Sequence, residues 1–277
     1  MTGNGLLVGV DGSPGAARAL RWAAAEAAGL DAPLTVCCVV ASLAGRLPVR
    51  AEHWGTEVLA AAREQVRADW PRLSIRTVLG DGHASTELLR VSAGHRLTVV
   101  GSRGDSGLTG LLVGSVALHL VSHVRCPMVV VPPSRVDTRA PVLVGVDGSE
   151  LNRPAVEYAF AAADRAGLPL VALSSLDTRR QGSGLPTGMP AERLVELARE
   201  AVGEWADKLP HVPVRHRVVA GPPARELVAA SAAASLTVVG SRGHGAMTAL
   251  LLGSVGRRLV QEAASPVAVV RQLAPDR

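Results

Sequence analysis

The sequence predicts an α/β fold built twice, as two tandem doubly wound parallel sheets with helices on both faces. Three observations carry that expectation. Short aliphatic runs alternate with alanine-rich amphipathic stretches, the pattern of parallel strands joined by crossover helices. Two blocks recur: Leu-Val-Gly-Val-Asp-Gly-Ser at 7–13 and 143–149, and Leu-Thr-Val-Val-Gly-Ser-Arg-Gly at 97–104 and 236–243. The first pair lies 136 residues apart and the second 139, so the second copy gains three residues between them. Finally, aromatic residues make up only 2% of the 277 positions, so the cores must be built from Val, Leu and Ala, which suits strands buried on both faces.

Each copy is large enough for its own core, and the expected domains are 1–133 and 141–277. The intervening stretch 132–141 is polar and bounded by proline, as a linker should be. In the first copy, 6–11 reads as a strand. Ser13-Pro14 then supplies an N-cap and a first-turn proline for an alanine-rich helix ending near Gly29. Strands follow at 34–40, 74–79, 97–102 and 127–131, with helices expected over about 51–68, 85–93 and 114–123. The second copy repeats the strands at 142–147, 170–175, 214–219, 236–241 and 266–270. Its segment 178–188 is rich in Gly, Ser and Pro and reads as a mobile loop, longer than its counterpart 42–50.

Composition excludes several classes of function. The chain reaches its first apolar strand by Leu6 with no basic region before it, so a signal peptide is not expected. The longest apolar stretch, 34–41, is too short to span a bilayer, and the expectation is a soluble, cytoplasmic protein. Cys37 and Cys38 are neighbours on a strand and point to opposite faces, so they and Cys126 read as buried small hydrophobes rather than a disulfide. Of 29 basic residues only Lys208 is a lysine. The net charge of +5 raises the question of nucleic acid, but the arginines are scattered over expected helix faces and stacking aromatics are nearly absent.

The chemistry is carried by a glycine pattern. Gly101-x2-Gly104-x9-Gly114-Ser115 is matched gap for gap by Gly240-x2-Gly243-x9-Gly253-Ser254. Glycines let backbone N–H groups approach an anion, and the following helix N-terminus adds free donors and partial positive charge. Ser115 can offer a hydroxyl and Arg103 a guanidinium fork. The parts make a polyphosphate cradle. It is not a Walker A loop, because no glycine is followed by lysine. Asp11 ends the first strand; in an open parallel sheet a ligand sits at the carboxyl ends of strands where the order reverses. If the first and fourth strands are neighbours, Asp11 and Gly101 face one crevice, and the acid can bond a ribose hydroxyl or a metal-bound water. Its repetition as Asp147 argues against a mere turn or cap.

These motifs, with glycine turns at Gly82 and Gly221, the Gly-Ser-Val at 114–116 and 253–255, and the closing Cys-Pro or Ser-Pro strands, resemble the universal stress protein family. The resemblance covers nearly the whole chain, as a tandem two-domain member. It implies five-stranded sheets in the order 3-2-1-4-5, and its Gly-x2-Gly-x9-Gly-Ser/Thr signature marks the family's ATP-binding subclass. The ATP contacts it implies are Asp11, Val39, Gly101, Arg103, Gly104, Gly114, Ser115 and Val116 in the first copy. In the second they are Asp147, Ser175, Gly240, Arg242, Gly243, Gly253, Ser254 and Val255. Val39 matches the position lining the adenine pocket. Ser175 departs from the usual aliphatic residue there, which weakens the inference for base packing in the second copy.

The expected function is a regulatory stress-response protein that binds ATP, with or without Mg2+, in one or both domains and acts through conformation or partner affinity. The alternative is an enzyme, a slow ATPase or an adenylate-transferring relative, since a cradle explains affinity for phosphates but not attack on them. No catalytic residue is assigned. The aliphatic edge strands 128–131 and 267–270 would be aggregation-prone if open, so pairing of the two domains, and a homodimer beyond that, are expected. His119 and His123 stand one helical turn apart, but their counterparts Arg258 and Glu262 are not ligands of the same kind, so a metal site is not expected. His244, beside the second loop, lacks an acid partner for a catalytic triad.

Overall fold

A computed structural model describes residues 5–41, 48–104, 113–134, 137–176, 191–241 and 252–271. The chain divides into two compact units, Met1–Pro133 and Ser134–Arg277. In the first, β1 (Leu6–Val10), α1 (Pro14–Gly29), β2 (Leu34–Val40), α2 (Val49–Asp69), β3 (Ile75–Asp81), α3 (Ala84–Ser92), β4 (Leu97–Gly101), α4 (Ser115–His123) and β5 (Met128–Val131) follow in turn. All pairings are parallel, in the order β3-β2-β1-β4-β5. The expected topology is present, and the chain changes direction across the sheet between β1 and β4.

The core forms because the central strands carry apolar side chains on both faces. Leu6, Leu7 and Val8 are wholly buried, as are Val36 and Val99. Helix α1 lies over β1, β4 and β5 and beside α2, while α3 lies beside α4. The two helix pairs cover opposite faces: the side-chain direction at Gly9 in β1 points to the Leu88 methyls of α3, 3.1 Å from where a Cβ would stand. Alanines 16, 19, 23, 24 and 27 form the buried stripe of α1 and let it sit close to the sheet. Its start is fixed by Ser13, whose Oγ accepts the Ala16 amide at 3.1 Å, and by Pro14 in the first turn.

The second unit contains β6 (Val142–Gly145), a 3-10 turn (Glu150–Asn152), α5 (Arg153–Ala166), β7 (Leu170–Leu176), α6 (Ala191–Lys208), β8 (Val214–Ala220), α7 (Pro223–Ser231), β9 (Leu236–Gly240), α8 (Ser254–Glu262) and β10 (Val267–Val270). Its parallel order is β8-β7-β6-β9-β10. Packing is repeated in detail. Leu227 covers Gly145 as Leu88 covers Gly9. The buried pair Thr98 Oγ1 and Cys126 Sγ, 3.3 Å apart, returns as Thr237 Oγ1 and Ser265 Oγ at 2.7 Å.

The differences from expectation are local. Strands β1 and β6 stop one and two residues early, before Asp11 and Asp147, because those acids turn the chain into the following helix. Strand β3 runs on to Asp81 because its ladder with β2 continues to Val40. Of the loop expected over 42–50, Val49 and Arg50 already belong to α2, and 42–47 lies outside the described residues, as does 178–188. Cys37, Cys38 and Cys126 are free and buried. Burial pushes the Cys37 thiol up to about 12 and the Cys38 thiol up to about 11, the latter also raised by the charge of Asp11.

Candidate functional site

The parallel register of β1 with β4, Leu6 to Leu97 through Val8 to Val99, brings the carboxyl ends of both strands to one edge. Asp11, just past β1, meets the loop leaving β4 there. Its Oδ1 accepts the Ser13 amide at 3.1 Å. Its Oδ2 stands where a Cβ on Gly104 would be, so the loop backbone lies directly against the acid. Val39 joins this edge: β1 pairs with β2 up to Val10 and Cys38, which places partly exposed Val39 one residue further on.

The inner limb of the loop rests on the first turn of α1. A Cβ on Gly101 would stand 2.8 Å from the Gly15 carbonyl carbon and 2.9 Å from its oxygen. A Cβ on Gly15 would in turn overlap the Arg103 carbonyl oxygen. The glycines at 101 and 104 are therefore required by close approach within the protein, in addition to any approach to an anion. Gly15 escaped the sequence reading. Its signal was a glycine in the first turn of an otherwise alanine-rich helix, where the weaker helix former implies something lying against the backbone.

The loop then closes on itself. The Ser102 amide donates to Val131 O, and the Gly114 amide to Ser102 O, each at 2.8 Å. Gly114 caps α4 in an extended conformation (φ −72°, ψ 151°) and, being glycine, offers the first amides no side-chain acceptor of its own. Exposed Ser115 and half-buried Val116 open that helix, and Arg103 and Gly104 are exposed on the facing limb. The geometry thus brings together Asp11, Gly101, Arg103, Gly104, Gly114 and the start of α4. Residues 105–112 lie outside the described residues.

In the second unit, the Ser241 amide donates to Val270 O at 2.8 Å and the Gly253 amide to Ser241 O at 3.0 Å. Gly253 caps α8, again a glycine with no side-chain acceptor of its own. Gly240, Ser254 and Val255 hold the matching places; Arg242, Gly243 and His244 lie outside the described residues. The entry to α5 differs, however. Ser149 does not cap the helix; its hydroxyl donates to Asp147 Oδ1 at 2.7 Å, which also accepts the Ser149 amide at 2.9 Å. A 3-10 turn precedes α5. Asn152, buried beneath it, donates to Gly145 O, and its Oδ1 has no partner among the described residues. The Ser175 hydroxyl donates to Gly221 O.

His123 and His119 stack, with ring centroids 4.3 Å apart, and His123 Nδ1 meets the His119 carbonyl at 2.8 Å. Lys208 pairs with Glu204 at 2.8 Å and lies over the Trp205 ring. An open groove of about 510 Å³ runs along α8 from its start, lined by Leu252, the candidate Ser254, Arg257, Arg258, Gln261 and Glu262.

The universal stress protein family matches this sequence twice, over residues 5–132 and 138–271. The chain belongs to the universal stress protein family. Its tandem arrangement is shared with relatives of similar length. A universal stress protein of Mycolicibacterium smegmatis is 36% identical, covering 96% of this chain and 97% of its own. One from Mycobacterium tuberculosis is also 36% identical, with 97% of each chain covered. Among solved structures, a universal stress protein from Archaeoglobus fulgidus superposes with a TM-score of 0.70 over 98% of this chain and 99% of its own; at 20% identity this supports the fold. Among the described residues, no helix of this universal stress protein is long and apolar enough to cross a membrane.

Proposed function

We propose that this universal stress protein binds ATP at the carboxyl edge of its sheets and acts as a regulator through nucleotide-dependent conformation or partner affinity. The observation that carries the reading is the convergence of Asp11, the Arg103–Gly104 limb and the glycine-capped start of α4 on one edge. Amides at a helix N-terminus and an adjacent glycine limb suit the oxygens of a polyphosphate. Asp11 suits a ribose hydroxyl or a water of an Mg2+ ion carried in by the phosphates. Val39, partly exposed at the end of β2, offers an apolar wall for the adenine. In the second domain, Asp147, Ser175, Gly240, Arg242, Gly243, Gly253, Ser254 and Val255 are the corresponding candidates.

The reading is of a binding protein because the cradle supplies donors for phosphate oxygens and, among the described residues, Asp11 is the acid beside it, held by its own turn and placed for a ribose hydroxyl or a metal-bound water. The test is direct. Purified protein is denatured and released nucleotide identified by mass spectrometry, and stripped protein is titrated with ATP and ADP. Binding of ATP more tightly than ADP supports the proposal. No adenine nucleotide bound at millimolar concentration overturns it, and rapid steady-state phosphate release would overturn the regulatory assignment in favour of an enzyme.

A further inference from the structure

We infer that Trp54 is an aromatic wall of the first-domain site and stacks on the base of the bound nucleotide. The inference rests on the nucleotide reading above and adds to it a residue that recognises the base instead of the phosphates.

Trp54 stands in the second turn of α2. Its neighbour Gly55 seats that helix on the strand ends: a Cβ there would lie 2.6 Å from Leu79 Cδ1 in β3 and 2.9 Å from Val40 Cγ1 in β2. The close seat brings the indole to the carboxyl edge, where its Cζ2 lies 3.8 Å from the Cβ position of Gly12. Gly12 follows Asp11 directly and holds a left-handed φ of +76°. Asp11 in turn lies against Gly104. Loop limb, acid and ring thus follow one another along the edge. Phosphates and base leave a ribose from opposite ends of the sugar. With phosphates on the Arg103–Gly104 limb and the sugar at Asp11, the base extends toward the ring.

Packing of α2 does not require that ring. Val58 Cγ2 makes the closer contact, 3.4 Å from the Gly12 Cβ position. The matching Gly148 (φ +75°) is met by Leu197 Cβ at the same 3.4 Å, with no ring within 4 Å among the described residues. Trp54 is also 42% exposed, one of three exposed large hydrophobics among the described residues, in a chain with only 2% aromatics. Such a ring beside an acid is surface that a planar base can cover. Val39 cannot cover the same side. Cys38 and Val40 are the β2 residues that meet Gly55, so strand alternation turns Val39 to the opposite face. A base lying across the strand ends has Val39 on one side and Trp54 on the other.

The test is calorimetric titration of the full chain with ATP and with inorganic tripolyphosphate, on the natural sequence, Trp54→Ala and Trp54→Phe, with tryptophan emission followed in parallel. Trp54→Ala should weaken ATP binding at one site per chain by at least about fivefold, the lower end of what one base–aromatic stack is worth, and leave tripolyphosphate binding unchanged. Trp54→Phe keeps a stacking face and should retain most of the ATP affinity. In the natural chain ATP should quench Trp54 emission, and tripolyphosphate should not. ATP affinity indifferent to Trp54→Ala would overturn the inference and leave the nucleotide reading standing. So would equal losses for ATP and tripolyphosphate, which would make the ring a structural support, or a loss in Trp54→Phe as large as in Trp54→Ala. A chain that binds no ATP at all overturns the nucleotide reading, and this inference with it.

Discussion

Alanine at Gly101 and alanine at Gly114 should have opposite consequences, although both glycines belong to one signature. At Gly101 the new methyl would stand 2.8 Å and 2.9 Å from the Gly15 carbonyl carbon and oxygen and 3.3 Å from the Ala16 nitrogen, all rigid backbone of α1. Either the loop or the helix must shift. Overpacking of that kind costs about 1–3 kcal/mol, which for a domain of this size lowers the first domain's Tm by roughly 3–10 °C. At Gly114 the nearest atoms are Ser102 O at 3.7 Å, Arg103 Cα at 3.9 Å and Gly104 N at 4.0 Å, which is ordinary contact. Its φ of −72° and ψ of 151° suit alanine. The lost preference for glycine at an N-cap is offset by the smaller unfolded-state entropy of alanine, leaving a Tm change within about 3 °C. That methyl would, however, enter the space between the two limbs of the loop, where the phosphates are proposed to sit. Gly114→Ala should therefore weaken ATP binding at site one by about tenfold or more, the worth of one charge-assisted bond, at nearly constant stability. Scanning calorimetry of the apo protein, paired with ATP titration, reads both effects. An unchanged first-domain Tm in Gly101→Ala, or an equal fall in Gly114→Ala, would refute the packing argument.

Phe160, wholly buried on α5 and the single phenylalanine of the chain, should cost about 3–5 kcal/mol when cut to alanine; urea unfolding should show the second domain melting earlier while the first domain's transition stays in place. Cys37 and Cys38 titrate normally near 9.0 but are raised to about 12 and about 11 in the folded chain. The folded state thus holds more protons than the unfolded one above about pH 9 and loses stability as pH rises through that window, by about 1 kcal/mol per thiol between pH 9 and 10. Urea midpoints measured across that range should fall less steeply in Cys37→Ala. Trp54 is 42% exposed and lies 3.8 Å from the Cβ position of Gly12, next to Asp11; ATP binding at site one should change its fluorescence, and Trp54→Phe should abolish that signal while other tryptophans persist.

The sequence by itself determined the duplication, the α/β class and the placement of nearly every strand, because buried parallel strands are apolar on both faces and read as unbroken aliphatic runs such as residues 34–40. It also marked Asp11 and the glycine pattern, since residues that a turn or a phosphate requires stand out by type and spacing. Periodicity could not show which backbone lies against which. That Gly101 sits on Gly15 and that Gly104 lies against the Asp11 carboxylate are consequences of β1 pairing with β4. Those contacts join residues some ninety positions apart, and steric demand across such a separation leaves no local pattern along the chain. The string shows a glycine at position 15; only tertiary structure shows why it is needed, since one missing Cβ there lets the Arg103 backbone approach α1.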